Sequence, residues 1–360
     1  MRVAATALLI AALAPGVSGC AARQQFLERV HGSKAVVRLA TLPTAGTSLG
    51  DGATLTALTE LPPPSGVYGA PELPTEASPR TPVSAPVSAS APMSARGGAV
   101  PAGMQFLYGS GEAVALDMQA FLGLNDLIVA RADDKMAGHE QRSVVLSPDA
   151  TLASPTFLPC GDKPLAVIFD VDETALLNLG YEASEARTGA PYDPERWDRW
   201  EKTGVAAVEA MPGLAGTKLV AEVNKVRFVF NTNRSVANAA QTEKALNGAG
   251  LGPAVHGDTL WLQGDAGSGS GKDARRAAIA QKYCVIAMVG DQLGDFSDLF
   301  NAVGATPAAR RALAGGRAIK TLWGHGWFIL PNPVYGTALK GGIDDVFPAD
   351  KRWTDTEGVK

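Results

Sequence analysis

The chain has 360 residues, 46% of them hydrophobic, and a formal net charge of -4. That length holds one large domain or two small ones, and the apolar share supports a packed core. The acidic balance argues against non-specific nucleic-acid binding, which needs a basic surface.

The N-terminus reads as a targeting segment. Arg2 supplies a positive charge and residues 3–14 form an apolar run. The run is too short to span a bilayer as a mature helix. Val17-Ser18-Gly19-Cys20 follows. Small residues before a cysteine resemble a bacterial lipobox, which implies cleavage before Cys20 and lipid attachment to its thiol. The chain is then expected to be exported and held by lipid to a membrane, the outer one, facing the periplasm or the surface. An ordinary secretory signal is the competing reading and also leads out of the cytoplasm. Of the other cysteines, Cys284 opens an apolar run, so a buried free thiol is expected there rather than a bond to Cys160.

Residues 21–103 read as a disordered tether. Ten prolines fall from Pro62 to Pro101, among Ala, Ser and Thr, with little to bury against the entropy of folding. The folded domain is expected over 104–360. After Ser110 the apolar period predicts one helix, broken or kinked near Gly123. Leu165–Phe169 is an apolar run rich in β-branched and aromatic residues, a buried strand. It ends on Asp170 and Asp172. Residues 178–210 hold Tyr181, Tyr192, Trp197 and Trp200 without clear period, as a cap over a site or a small satellite core. Pro212 sits where a helix start tolerates it. Val226–Asn231 is a second strand, expected to end before Thr232, Asn233 and Arg234. A Gly/Ser loop over 264–271 leads to Lys272 at the head of a helix. Cys284–Val289 is a third strand, ending on Asp291 and Asp295, and Trp327–Leu330 a fourth, ending near Tyr335. Strands alternating with helices predict a Rossmann-like parallel sheet with helices on both faces.

Chemistry in such sheets gathers at the carboxyl ends of the strands. Asp170 and Asp172, on alternate positions, can face one site. Alone they are weak evidence, and a calcium loop or a solvated turn is the commoner reading. Thr232 lies 62 residues after Asp170, Lys272 a further 40, Asp291 and Asp295 a further 19 and 23. Each fits a step of phosphoryl transfer, which needs charge neutralised around the moving group. Lys272 offers a point charge, Thr232 a hydroxyl, and the carboxylates an oxygen cage suited to Mg²⁺.

This order is similar to the motif set of the haloacid dehalogenase superfamily. Phe169-Asp170-Val171-Asp172-Glu173-Thr174, Tyr192 through Trp200, Thr232-Asn233-Arg234, Lys272 through Arg276, Gly290-Asp291 through Phe296, and Leu330 through Gly336 resemble the class C, four-aspartate acid phosphatases. The resemblance implies an exported phosphomonoesterase, possessing Asp170 as nucleophile and Asp172 as proton donor and later base. It implies Mg²⁺ held by Asp170, the Asp172 carbonyl and Asp291, with Asp295 behind them. It also implies small phosphomonoester substrates such as nucleoside monophosphates, and a homodimer. Asn233, Arg234, Trp197, Trp200 and Tyr335 are the candidates for holding the rest of the substrate. A binding module that has lost catalysis, or a phosphomutase, would share this fold.

Overall fold

The computed structural model describes residues 99–267 and 269–355. The segment read as a signal, Cys20 and nearly all of the stretch read as a tether lie outside them.

Two helices open the described chain, α1 (Ala102–Gly109) and α2 (Gly111–Met136). The break between them falls at Ser110, whose hydroxyl accepts from the Ala113 N–H at 3.1 Å and so caps α2. No break occurs at Gly123, contrary to the sequence expectation. An interior glycine costs about 1 kcal/mol in a helix. Burial of Phe121, Leu124 and Ile128 on either side outweighs it.

Five parallel strands form the central sheet: β3 (Leu165–Phe169), β6 (Arg227–Ser235), β7 (Leu260–Gln263), β8 (Cys284–Gly290) and β9 (Trp327–Ile329), in the order β7-β6-β3-β8-β9. β3 is central and buried along its whole length. Its residues alternate between two cores, as strand geometry requires. Leu165, Val167 and Phe169 pack in one core with Phe121, Leu124 and Ile128 of α2, with Leu214 and Val220 of α5 (Leu214–Val223) and with Ala245 and Leu246 of α6 (Ala239–Gly248). Ala166 and Ile168 join a second core with Trp327 and with Ile279 of α7 (Asp273–Lys282). β1 (Arg142–Leu146) and β2 (Phe157–Pro159) make an antiparallel pair, and the Val144 carbonyl accepts from the buried Trp327 indole at 3.0 Å.

Two expectations change. β7 was not foreseen, and β6 runs on through Thr232 and Arg234, because pairing with β7 extends it. Cys284 is bonded to Cys160 rather than free. The fold brings the loop before β3 beside the first residue of β8, across 124 positions of sequence.

Asp117 on α2 is 2% exposed and its Oδ1 has no hydrogen-bond partner. Burial pushes its carboxyl up to about 7. The folded state therefore holds this proton more tightly than the unfolded chain, and stability present at low pH is lost as pH rises from about 4 to about 7. Asp117→Asn is expected to stabilise the domain by about 2 kcal/mol at pH ~8, roughly half the full displacement because water relaxes around a buried carboxyl. At pH ~4 it should gain almost nothing. Urea unfolding at both pH values checks this, and an equal gain at the two would contradict the burial argument.

Candidate active site

The site lies at the carboxyl ends of β3 and β8. The Asp170 N–H donates to the Val289 carbonyl at 3.0 Å, which keeps the two strand ends in register. The chain then turns sharply at Val171, whose carbonyl accepts from Ala175 at 2.9 Å and Leu176 at 2.8 Å. Glu173 takes a left-handed conformation, φ 50°, costing about 1–3 kcal/mol for a residue with a side chain. Its buried carboxyl accepts from the Asn178 N–H at 2.8 Å, the Asn178 amide at 3.0 Å and the Tyr335 hydroxyl at 2.5 Å. These bonds hold the turn in place and so set the direction of Asp172. At Gly290 a Cβ would collide with the Asp295 side chain, so only glycine lets Asp295 fold back under the strand end.

Lys272 is buried at the N-cap of α7. Its ammonium donates to Asp170 Oδ1 at 2.5 Å and to Asp295 Oδ1 at 2.7 Å. Asp298 fixes the lysine backbone, accepting from its N–H at 2.8 Å. Burial alone would lower the Lys272 pKa, but the Asp170 and Asp295 carboxylates hold it above its ordinary value, so it stays charged. Asp291 Oδ1 accepts from the Thr174 hydroxyl at 3.0 Å, and Oδ2 from the Asn332 amide at 2.7 Å and the Gln292 amide at 3.0 Å. Asp172 Oδ1 accepts from Arg234 at 2.7 and 2.9 Å and from Asn178 at 2.9 Å. Its Oδ2 faces the Thr232 hydroxyl at 3.5 Å.

The site is short of positive charge. Oxygens of Asp170, Asp291 and Asp295 lie within 4.8 Å of one another. Burial, with the Asp295 charge added, pushes the Asp291 carboxyl up to about 7 and Asp170 well above the carboxylate range despite Lys272. An all-oxygen set in this condition fits a hard divalent cation. Asp295 is already engaged through both oxygens, by Lys272 and by the Gln292 N–H at 2.9 Å, and so serves to anchor the lysine.

The site opens into a cavity of about 980 Å³ lined by Asp170, Asp172, Lys272, Asp291 and Asp295 and by cap residues. The cap is formed by α3 (Leu179–Thr188), α4 (Pro194–Thr203) and the short pair β4 (Leu176–Leu177) and β5 (Glu209–Ala210). Asn233, Trp197 and Tyr335 line the cavity, although the Tyr335 hydroxyl is spent on Glu173. Arg234 and Trp200 do not line it. Arg234 is buried beneath, bonded to Asp172 and to Asn178 at 2.8 Å. The Trp200 ring fills a notch at Gly180 and Gly204, and its N–H donates to Asn178 at 3.3 Å. Both residues thus orient the site from behind. Thr232 is fully buried within β6 and accepts from the Arg234 N–H at 3.0 Å. Sequence reasoning gave no role to Thr174, Asn332, Arg275 or Glu201. Arg275 ties α7 to β6 through the Thr232 carbonyl and Asn233 Oδ1. Glu201 accepts from the Ser235 N–H at 3.1 Å and the Trp197 indole at 2.7 Å, joining cap to sheet. The signal for Asn332 was a polar residue between two prolines just past a strand end.

Two solved structures of the class C acid phosphatase from Bacillus anthracis, one with tungstate bound, share this architecture, with TM-scores of 0.51 and 0.50. Each is 24% identical in sequence, and the match covers 66% of this chain and 84% of theirs, a likeness of fold. Residues 118–338 match the family described as the HAD superfamily, subfamily IIIB (Acid phosphatase). That span takes in the sheet, the cap and every strand-end acid described above. The chain therefore belongs to the subfamily IIIB acid phosphatases of the haloacid dehalogenase superfamily, hydrolases of phosphoric monoesters.

Proposed function

We propose that this chain is an exported, Mg²⁺-dependent phosphomonoesterase working through an aspartyl-phosphate on Asp170. The observation that carries this reading is the placement of Asp170 between the Lys272 ammonium and Asp291, with Asp172 oriented separately by Arg234 and Asn178. Asp170 attacks phosphorus while Lys272 steadies the negative charge on the phosphoryl oxygens. Asp172 Oδ1 is occupied by three donor atoms, so Oδ2 is the oxygen that passes a proton to the leaving alcohol. The same oxygen then takes a proton from the water that cleaves the aspartyl-phosphate. Asp170, the Asp172 carbonyl and Asp291 would hold Mg²⁺, which when bound neutralises these carboxylates and the phosphate oxygens. The aromatic side chains of Tyr192 and Trp197 on the cavity wall support nucleoside monophosphates among the substrates.

Exhaustive EDTA treatment is expected to abolish phosphate release, and Mg²⁺ to restore it. Full turnover of the metal-free protein would contradict the role given to the Asp170 and Asp291 carboxyls. Export and lipid attachment rest on Val17-Ser18-Gly19-Cys20. In cells fed labelled fatty acid, the native chain should take up label and the Cys20→Ala variant should not. Absence of label on the native chain would remove the lipoprotein reading.

A further inference from the structure

The cavity has two ends. Asp170, Lys272 and Asp291 occupy the phosphate end, so the leaving group of a bound ester points toward the cap. Among the described residues lining the cavity, Lys272 is the one cation. The cap end carries four carboxylates, Glu182, Glu185, Asp198 and Glu201. Three of them are satisfied within the protein. Glu185 is bonded to Arg196. Asp198 accepts from Lys202 at 2.5 Å and Asn238 at 3.0 Å, and Glu201 from Trp197, Asn238 and the Ser235 N–H.

Glu182 differs. It lines the cavity, is 3% exposed, and its Oε2 has no hydrogen-bond partner. Such an oxygen, buried without a donor, is unfavourable until a donor reaches it. Burial first, then the charges of Glu173 and Glu185, push its carboxyl up to about 8, and a cation set beside it would oppose that shift and ionise it. Asp172, the proton donor for the leaving oxygen, lines the same cavity as Glu182. Aromatic surface stands in the same wall. Arg196 already covers the Tyr181 ring at 5.1 Å and Arg234 the Trp197 ring at 6.0 Å, which leaves Tyr192 as the aromatic face toward an ammonium group.

We propose that Glu182 receives an ammonium group carried by the leaving alcohol, so that the preferred substrates are phosphomonoesters of amino alcohols. This rests on the phosphomonoesterase reading. In the reaction the P–O bond to the alcohol breaks, Asp172 gives its proton to the alcohol oxygen, and the ammonium stays beside Glu182 unchanged.

The test uses the Mg²⁺-loaded protein and two esters of like shape, 2-aminoethyl phosphate and propyl phosphate. The kcat/KM ratio is expected to favour the amine by about tenfold or more. In Glu182→Gln, which keeps the shape and removes the charge, the ratio should fall to near one. Free ethanolamine should also inhibit the native enzyme where propanol does not, a measurement that needs no variant to fold. A native ratio near one, a preference that survives in Glu182→Gln, or equal effects of ethanolamine and propanol would each overturn this proposal alone. Failure to release phosphate from any ester would overturn the phosphomonoesterase reading, and this proposal with it.

Discussion

Asp170→Asn is expected to lower turnover by about 10⁴-fold or more on every phosphate ester, because the amide offers no anion to attack phosphorus. The loss should not come from unfolding. Asp170 is buried among Asp295, Asp291 and Asp172, whose charges oppose its own, so a neutral side chain relieves repulsion there. Rapid quench with labelled substrate should trap an acid-stable, hydroxylamine-sensitive phosphoprotein from the native enzyme and none from the variant. Turnover above roughly one hundredth of native, in a sample free of native enzyme, would show that Asp170 is not the nucleophile.

The second large effect separates Asp172 from Asp170. Asp172→Asn keeps the nucleophile and loses the proton donor, so the cost should follow the leaving group. An alkyl phosphate leaves as a poor alkoxide and should slow by about 10²–10⁴-fold. An activated aryl phosphate leaves as a stabilised phenolate and should lose much less in the first step. Its second step still lacks the base that activates water. Aspartyl-phosphate should then accumulate, seen as a burst of phenol followed by slow turnover. Arg234→Met should show a weaker form of the same pattern, because it removes two of the bonds to Asp172 Oδ1. Equal losses on alkyl and aryl esters, with no burst, would mean that the two aspartates have been given the wrong roles.

Much of this arrangement was legible in sequence for a physical reason. β3 is apolar at every position because both of its faces are covered, so its end, and the acids there, stood out. Lys272, Asp291 and Asp295 likewise follow a loop or an apolar run, and the structure gathers them with Asp170. What failed depended on contacts between distant segments. β7 has four residues and is recognisable chiefly through its pairing with β6. That pairing places Thr232 inside a strand instead of after one. The Cys160–Cys284 bond depends on a closeness that spacing does not encode. Trp197 and Trp200 sit three residues apart on α4, yet one borders the cavity and the other fills a notch at Gly180 and Gly204. Aromatic content could suggest a cap without telling wall from wedge.

Lys272 is shared between Asp170 and Asp295, and this sharing has a temporal consequence. In the proposed mechanism, once Asp170 carries phosphate its carboxyl is the uncharged carbonyl of an acyl phosphate and holds the ammonium less strongly. Asp295 keeps its charge and its 2.7 Å bond. The lysine can then swing its second hydrogen bond from the carboxyl to the new phosphoryl oxygens without leaving its anchor. When water releases phosphate, the regenerated Asp170 carboxylate competes for the same proton and draws it back. One side chain, tethered at one point and loose at another, would thus act as a ratchet that follows the charge around the cycle.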